Sequence, residues 1–254
     1  MNTHSQFTSV YNACTKPRYI LICEHASNFI PEYYNSLGVG SEITNSHVAY
    51  DPGALEVAKL MAKSLCAPLI TQNVSRLVYD CNRPPNAKSA MPSKSEIYDI
   101  IGNQNLSESQ RAERAIKFYA PFCNLISSII DTEINQQNYP IIITIHSFTP
   151  IYYGKKRNLD IGILHDDDSR FADEILKLTD LQQNLQIKRN APYGPEDGVT
   201  HSLKLHAQSR GLANVMLEIN NSIIANATTQ KSIANLLSDY MRQAADNLTI
   251  EKRD

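Results

Sequence analysis

The chain has no Cys-x-x-Cys pair, and its five cysteines, Cys14, Cys23, Cys66, Cys81 and Cys123, are odd in number. Neither a disulfide framework nor a zinc finger is expected from such a set, and most of these thiols are expected to be small buried hydrophobes. Charge of one sign is also missing: 24 Lys and Arg against 26 Asp and Glu leave a formal net charge of −2 over 254 residues. With no basic stripe on any foreseeable helix face, nucleic acid is not an expected partner. No window approaches the ~20 apolar residues that span a bilayer, so no membrane partner is expected. The first nineteen residues lack a basic stretch followed by an apolar core, which leads to a cytoplasmic expectation. Repeats and low-complexity linkers are lacking too, while 42% hydrophobic residues suffice for a large core. We therefore expect one domain over 1–254, with 1–17 a loosely ordered N-terminal segment. Oligomeric state is not legible.

What is present is alternation. Short apolar runs at Tyr19–Cys23, Pro68–Asn73, Ile141–Ile145, Leu159–Leu164 and Ala213–Ile219 read as strands. Amphipathic stretches at Gly53–Leu65, Ser107–Asn135, Ser169–Leu178, Thr200–Arg210 and Thr228–Leu248 read as helices. Ser107 with Gln110 three residues on is the pattern of a capping box. This order predicts an α/β sheet with helices on both faces. Three long polar segments, Tyr79–Asn105, Phe148–Asn158 and Arg189–Val199, lie between elements, where long loops are usually functional or disordered.

The chemistry gathers at strand ends. The run Tyr19–Cys23 stops in Glu24-His25-Ala26-Ser27-Asn28, and Ile141–Ile145 stops in His146-Ser147. A third run ends with Glu218. Ligands of α/β sheets collect at the carboxyl ends of strands, so these residues are expected to face one crevice. Two imidazoles with a carboxylate form the donor set of a zinc-type catalytic site, and a further carboxylate serves as its base. Asp51, before Pro52, is either the N-cap of the next helix or a third ligand. His47 is either a substrate contact or a support for a ligand. In "SRLVYDCNRPP", Arg76, Asp80, Asn82 and Arg83 suit an acidic small molecule, because forked guanidinium donors match a carboxylate; Asp80 is expected to pair with one of the two arginines. The "HDDD" run at His165–Asp168 reads as a solvated turn, and five-residue spacing argues against an ion shared by His201 and His206. A rival reading is a thiol hydrolase using Cys23 or Cys81, and another is a metal-free binding module for a glutamate-like ligand.

Taken in order, "ICEHASNFIP", "HVAYDPGA", "SRLVYDCNRPP", "IHSFTP" and "LEINNS" resemble the N-formylglutamate amidohydrolase family, which looks related to zinc-dependent exopeptidases and acylamino-acid deacylases. The resemblance implies a three-layer α/β/α fold with a mixed, mostly parallel sheet. It implies hydrolysis of an N-acylated acidic amino acid such as N-formyl-glutamate, with a divalent ion, zinc or cobalt, as cofactor. His25, Asp51 and His146 are then expected as metal ligands, with Glu218 as general base and Arg76 either sharing the grip on the substrate carboxylate or stabilising the developing oxyanion. Asn82, Arg83, His47 and Ser147 are expected at the substrate. The chain departs from exopeptidase-like relatives in carrying Asn28 where a carboxylate ligand is common. That leaves Glu24, Asp51 and Asn28 as candidates for the third ligand; Asp51 is preferred, since alternation along a strand turns Glu24 away from His25.

Overall fold

A computed structural model describes residues 6–179 and 184–251. Seven strands form one sheet: β1 (Thr8–Tyr11), β2 (Tyr19–Cys23), β3 (Leu69–Gln72), β4 (Ile141–Phe148), β5 (Ile161–Leu164), β6 (Ile187–Arg189) and β7 (Asn214–Asn220). Their spatial order is β1-β3-β2-β4-β7-β5-β6. Strands β3, β2, β4 and β7 run parallel, β1 and β5 pair antiparallel to their inner neighbours, and β6 follows β5. The expected mixed, mostly parallel sheet is present.

Alternation along the central strands divides the core. Leu21, Cys23, Ile143, Ile145 and Leu217 pack against α1 (Ala54–Leu65), α4 (Arg170–Thr179) and α5 (Ala227–Glu251). On the opposite face Ile20, Ile22, Ile70 and Ile142 meet Phe122, Ile126 and Ile130 of α3 (Ala120–Asn135), which continues α2 (Glu108–Arg114) through a π-helical turn. Two-sided coverage is why the central strands read as continuous apolar runs. Ser107 and Gln110 form the expected capping box.

The topology places a crevice. From β2 the chain passes through α1 to β3 on one side, then returns to lay β4 on the other side of β2. The carboxyl ends of β2 and β4 thus flank a switch point, where open α/β sheets bind ligands.

Several expectations need correction. β4 continues to Phe148, because β7 pairs with it in register through Glu218–His146, Ile219–Ser147 and Asn220–Phe148. His146 and Ser147 therefore lie inside the strand. The N-terminal segment is not loose over its whole length: Thr8–Tyr11 pairs with β3 and Phe7 is buried, while residues 1–5 lie outside the described residues. The HDDD run is not simply solvated: Asp166 is buried, accepting from the Thr200 hydroxyl and pairing with Lys204 at 3.1 Å. No helix is long and apolar enough to cross a membrane among the described residues.

Candidate active site

The three expected ligands are brought together by backbone first. β2 ends at Cys23, and in the turn after it the His25 carbonyl accepts the Asp51 N–H at 3.0 Å. Asp51 is not the helix cap. That position belongs to Gly53 at φ +79°, where a Cβ would stand 2.8 Å from the Ile224 carbonyl oxygen, so only glycine fits. The Asp51 carboxylate is left free to point inward, where the Ser147 N–H donates to Oδ2 at 3.2 Å.

Around that oxygen the site closes. Asp51 Oδ2 lies 3.2 Å from His25 Nδ1 and 3.0 Å from His146 Nδ1, and the two Nδ1 atoms are 3.2 Å apart. All three residues are buried, with their donor atoms within 4.8 Å of one another. Such a set holds a proton or a cation; two imidazole lone pairs and a carboxylate oxygen directed at one point otherwise repel. The far nitrogens are tied back: His25 Nε2 lies 2.7 Å from Asp80 Oδ1, and His146 Nε2 lies 3.1 Å from Glu24 Oε2. Tethering of the outer imidazole nitrogen to a carboxylate is how metal-binding histidines are held in one tautomer. The donor set therefore fits a divalent ion of the zinc type.

Charges follow this geometry. Burial alone raises the Asp51 and Asp80 carboxyls, but His25 and Arg76 outweigh it and hold both well below the usual carboxylate range. Arg76 bridges the pair, donating to Asp51 Oδ1 at 3.3 Å and to Asp80 Oδ2 at 3.0 Å. Burial lowers the affinity of His146 for a proton, yet Glu24 and Asp51 raise it well above the ordinary imidazole value. Glu218, beside His146 on β7, behaves oppositely: burial, reinforced by Asp51, pushes its carboxyl up to about 7 against the pull of His146.

A cavity of about 300 Å³ opens onto these groups, lined also by His47, Arg83, Ser147 and Tyr193. Arg83 donates to its neighbour's carbonyl, Asn82 O, at 2.8 Å and has no carboxylate partner among the described residues. Asp80 thus pairs with Arg76, leaving Arg83 as the available fork. Asn82 lines the cavity, but its amide clamps the opposite wall, donating to Val199 O at 2.5 Å and accepting from Ser202 N–H at 3.0 Å. Ser147 Oγ donates to Pro52 O at 2.8 Å. His47 sits at the rim, its Nε2 3.0 Å from Glu96 Oε2.

Three alternatives lose their footing. Asn28 donates to Asn45 Oδ1 at 3.0 Å and is absent from the cluster. Glu24 turns away from His25, as alternation implied, and stands behind His146, outside the cluster. The thiols of Cys23 and Cys81 are fully buried, and burial pushes both well above their usual range, where a thiol is inert.

Sequence reasoning missed Asp80 and Glu24 as supports, and Tyr152, Tyr193 and Glu96 in the cavity wall. The last three had a signal, since each lies in one of the three long polar segments. Arg157 secures Tyr193 by donating to its hydroxyl at 3.0 Å, with its guanidinium stacked 4.3 Å from the Tyr152 ring centre.

Residues 18–225 match the family model described as N-formylglutamate amidohydrolase. No protein with a curated description matches the chain. Among solved structures, gene product Atu2144 from Agrobacterium tumefaciens is 48% identical, with 97% of each chain covered and a TM-score of 0.94. An N-formylglutamate amidohydrolase from Ralstonia eutropha JMP134 is 14% identical over 93% of this chain and 98% of its own, with a TM-score of 0.63, and shares the fold. With its ordered motifs and 208 consecutive positions inside that family model, the chain belongs to the N-formylglutamate amidohydrolase family, hydrolases acting on an amide C–N bond.

Proposed function

We propose that this protein is a metal-dependent deacylase that removes a formyl-type group from an acidic amino acid such as N-formyl-L-glutamate. The convergence of His25 Nδ1, His146 Nδ1 and Asp51 Oδ2 on one point at the floor of a 300 Å³ cavity carries this reading. Those three residues would hold the ion. When bound, a divalent ion supplies Lewis acidity that lowers the pKa of water toward neutrality and polarises a carbonyl.

The chain's own groups do the rest. Glu218, half ionised near neutral pH, takes a proton from water and passes it to the departing amine. Arg76, anchored by Asp51 and Asp80, stands ready to face charge developing on the acyl oxygen. Arg83 receives a substrate carboxylate in its fork, on a loop that Asn82 fastens to Val199 and Ser202. His47 and Ser147 complete the wall around the substrate.

The reading is tested by following free amine from N-formyl, N-acetyl and N-succinyl forms of Glu, Asp and Gln. Release from an acidic N-acyl substrate, lost on chelation and restored by zinc or cobalt, is expected. Turnover that is indifferent to chelation and to added ions would overturn the metal role. Arg83→Lys keeps the charge but loses the fork, removing one or two charge-assisted hydrogen bonds of about 1.5–3 kcal/mol each. A loss of at least about tenfold in kcat/KM is expected on acidic substrates, with a smaller loss on an analogue whose carboxylate is amidated. Equal losses on both would move the carboxylate contact elsewhere.

A further inference from the structure

Glu24 is a buried carboxylate that the mechanism above does not use. It is 1% exposed, and burial opposes its charge, while His146 and Ser202 favour it. By alternation it continues the Ile20–Ile22 face of β2, the face on which Ile142, Thr144 and His146 follow one another on β4. Its Oε2 lies 3.1 Å from His146 Nε2 as an ion pair, and among the described residues neither of these buried atoms has a hydrogen-bond partner of good geometry. An ionised carboxylate in such a place is costly unless it is paired. Asp80 stands in the same relation to His25, on Nε2 and opposite Nδ1.

We propose that Glu24 is a positioning residue: it accepts Nε2–H of His146 and so presents the Nδ1 lone pair to the centre shared with His25 and Asp51. The proposal rests on the metal reading of the preceding subsection. It predicts ligation of both histidines through Nδ1, each locked by its own carboxylate. Zinc affinity of the apoprotein, measured by competition with a chromophoric chelator, should fall about 10–100-fold in Glu24→Gln. Glu24→Leu, with no acceptor, should bind more weakly still. Circular dichroism and the Tm of the apoprotein check that each variant is folded, and ¹⁵N imidazole shifts of the zinc-loaded protein should show His146 protonated at Nε2. Variants that bind zinc within twofold of the wild type, or His146 ligated through Nε2, would overturn the role of Glu24 alone. A wild-type protein that binds no zinc would overturn the metal reading as well.

A separate observation lies on the other end of α1. Cys66 closes that helix in a left-handed conformation and is exposed, and its Sγ is 3.0 Å from that of half-buried Cys14. The two segments are held together independently of the thiols: the Asn12 side-chain amide donates to Ala62 O at 2.8 Å and to Ala67 O at 3.0 Å. The other three cysteines are buried. The geometry points to a modification site at Cys14 and Cys66 for low-molecular-weight disulfides. One thiolate attacks the disulfide RSSR, forming a mixed disulfide and releasing RS⁻; the second displaces the other RS⁻. Two protein thiols thereby become one cystine as RSSR becomes two RSH.

Reduced protein treated with oxidised glutathione should lose two hydrogens in mass and two titratable thiols, with a single peptide cross-link joining residues 14 and 66. Its Tm should rise, since the new loop restricts the unfolded chain. Cys14→Ser should stop at a glutathione adduct on Cys66. Separate adducts on both cysteines, without a cross-link, would overturn the site.

Discussion

Replacing Glu218 by Gln is expected to lower kcat by roughly 10²–10⁴-fold, the usual worth of a placed general base. The reason is local. Glu218 is buried on β7 in register with His146, and burial brings its carboxyl up to about 7, so a substantial fraction is still ionised at neutral pH and that anion accepts a proton more strongly than an ordinary carboxylate does. Gln keeps the volume and loses the proton acceptor. The substrate fork at Arg83 and the donors of His25, Asp51 and His146 remain, so KM and metal content should change little. A variant losing kcat together with its metal would identify Glu218 as a ligand instead of the base. The sign of the pH response follows: a group that must be ionised to act is lost as pH falls, so wild-type kcat/KM should decline on the acid side. That limb should lie at or below about 7, because a bound cation favours the carboxylate, and Glu218→Gln should abolish it.

Asp51→Asn should be the most destabilising of the site substitutions. The carboxylate compensates three groups at once, the buried His25 and His146 and the partly buried Arg76, and accepts the Ser147 N–H. Breaking a buried pair by removing one partner costs about 3–5 kcal/mol, because the other charges stay buried without compensation. In a protein of this size about 1 kcal/mol moves Tm by roughly 2–4 °C, so a fall of roughly 6–20 °C is expected for the metal-free protein. Zinc binding should be lost as well. A calorimetric scan of the stripped variant checks the first effect and chelator competition the second. A Tm within a degree or two of the wild type would show that His25 and His146 are neutral there, with Arg76 served by Asp80 alone.

Much of this protein is legible in its sequence. The alternation of apolar runs with amphipathic stretches dictated an α/β sheet covered on both faces, because a strand buried on both sides has no polar positions to show. The residue types at the strand ends named the chemistry: imidazoles and carboxylates have little reason to follow Cys23 or Ile145 unless they meet something. What sequence left open were matters of direction. Whether Asp51 capped a helix or entered the site turned on Gly53 taking the cap in a left-handed conformation against Ile224, a contact 171 residues away in the chain. What Glu24 met on its own face turned on β4 carrying His146 alongside it, and whether His146 stood in a loop or a strand turned on β7 pairing past it. Which arginine stayed free turned on Asp80 reaching His25 as well as Arg76, leaving Arg83 without a carboxylate partner among the described residues. Side-chain periodicity is local and survives in sequence; backbone pairing and the sharing of one carboxylate among several cations depend on distant segments meeting, which only the tertiary structure decides.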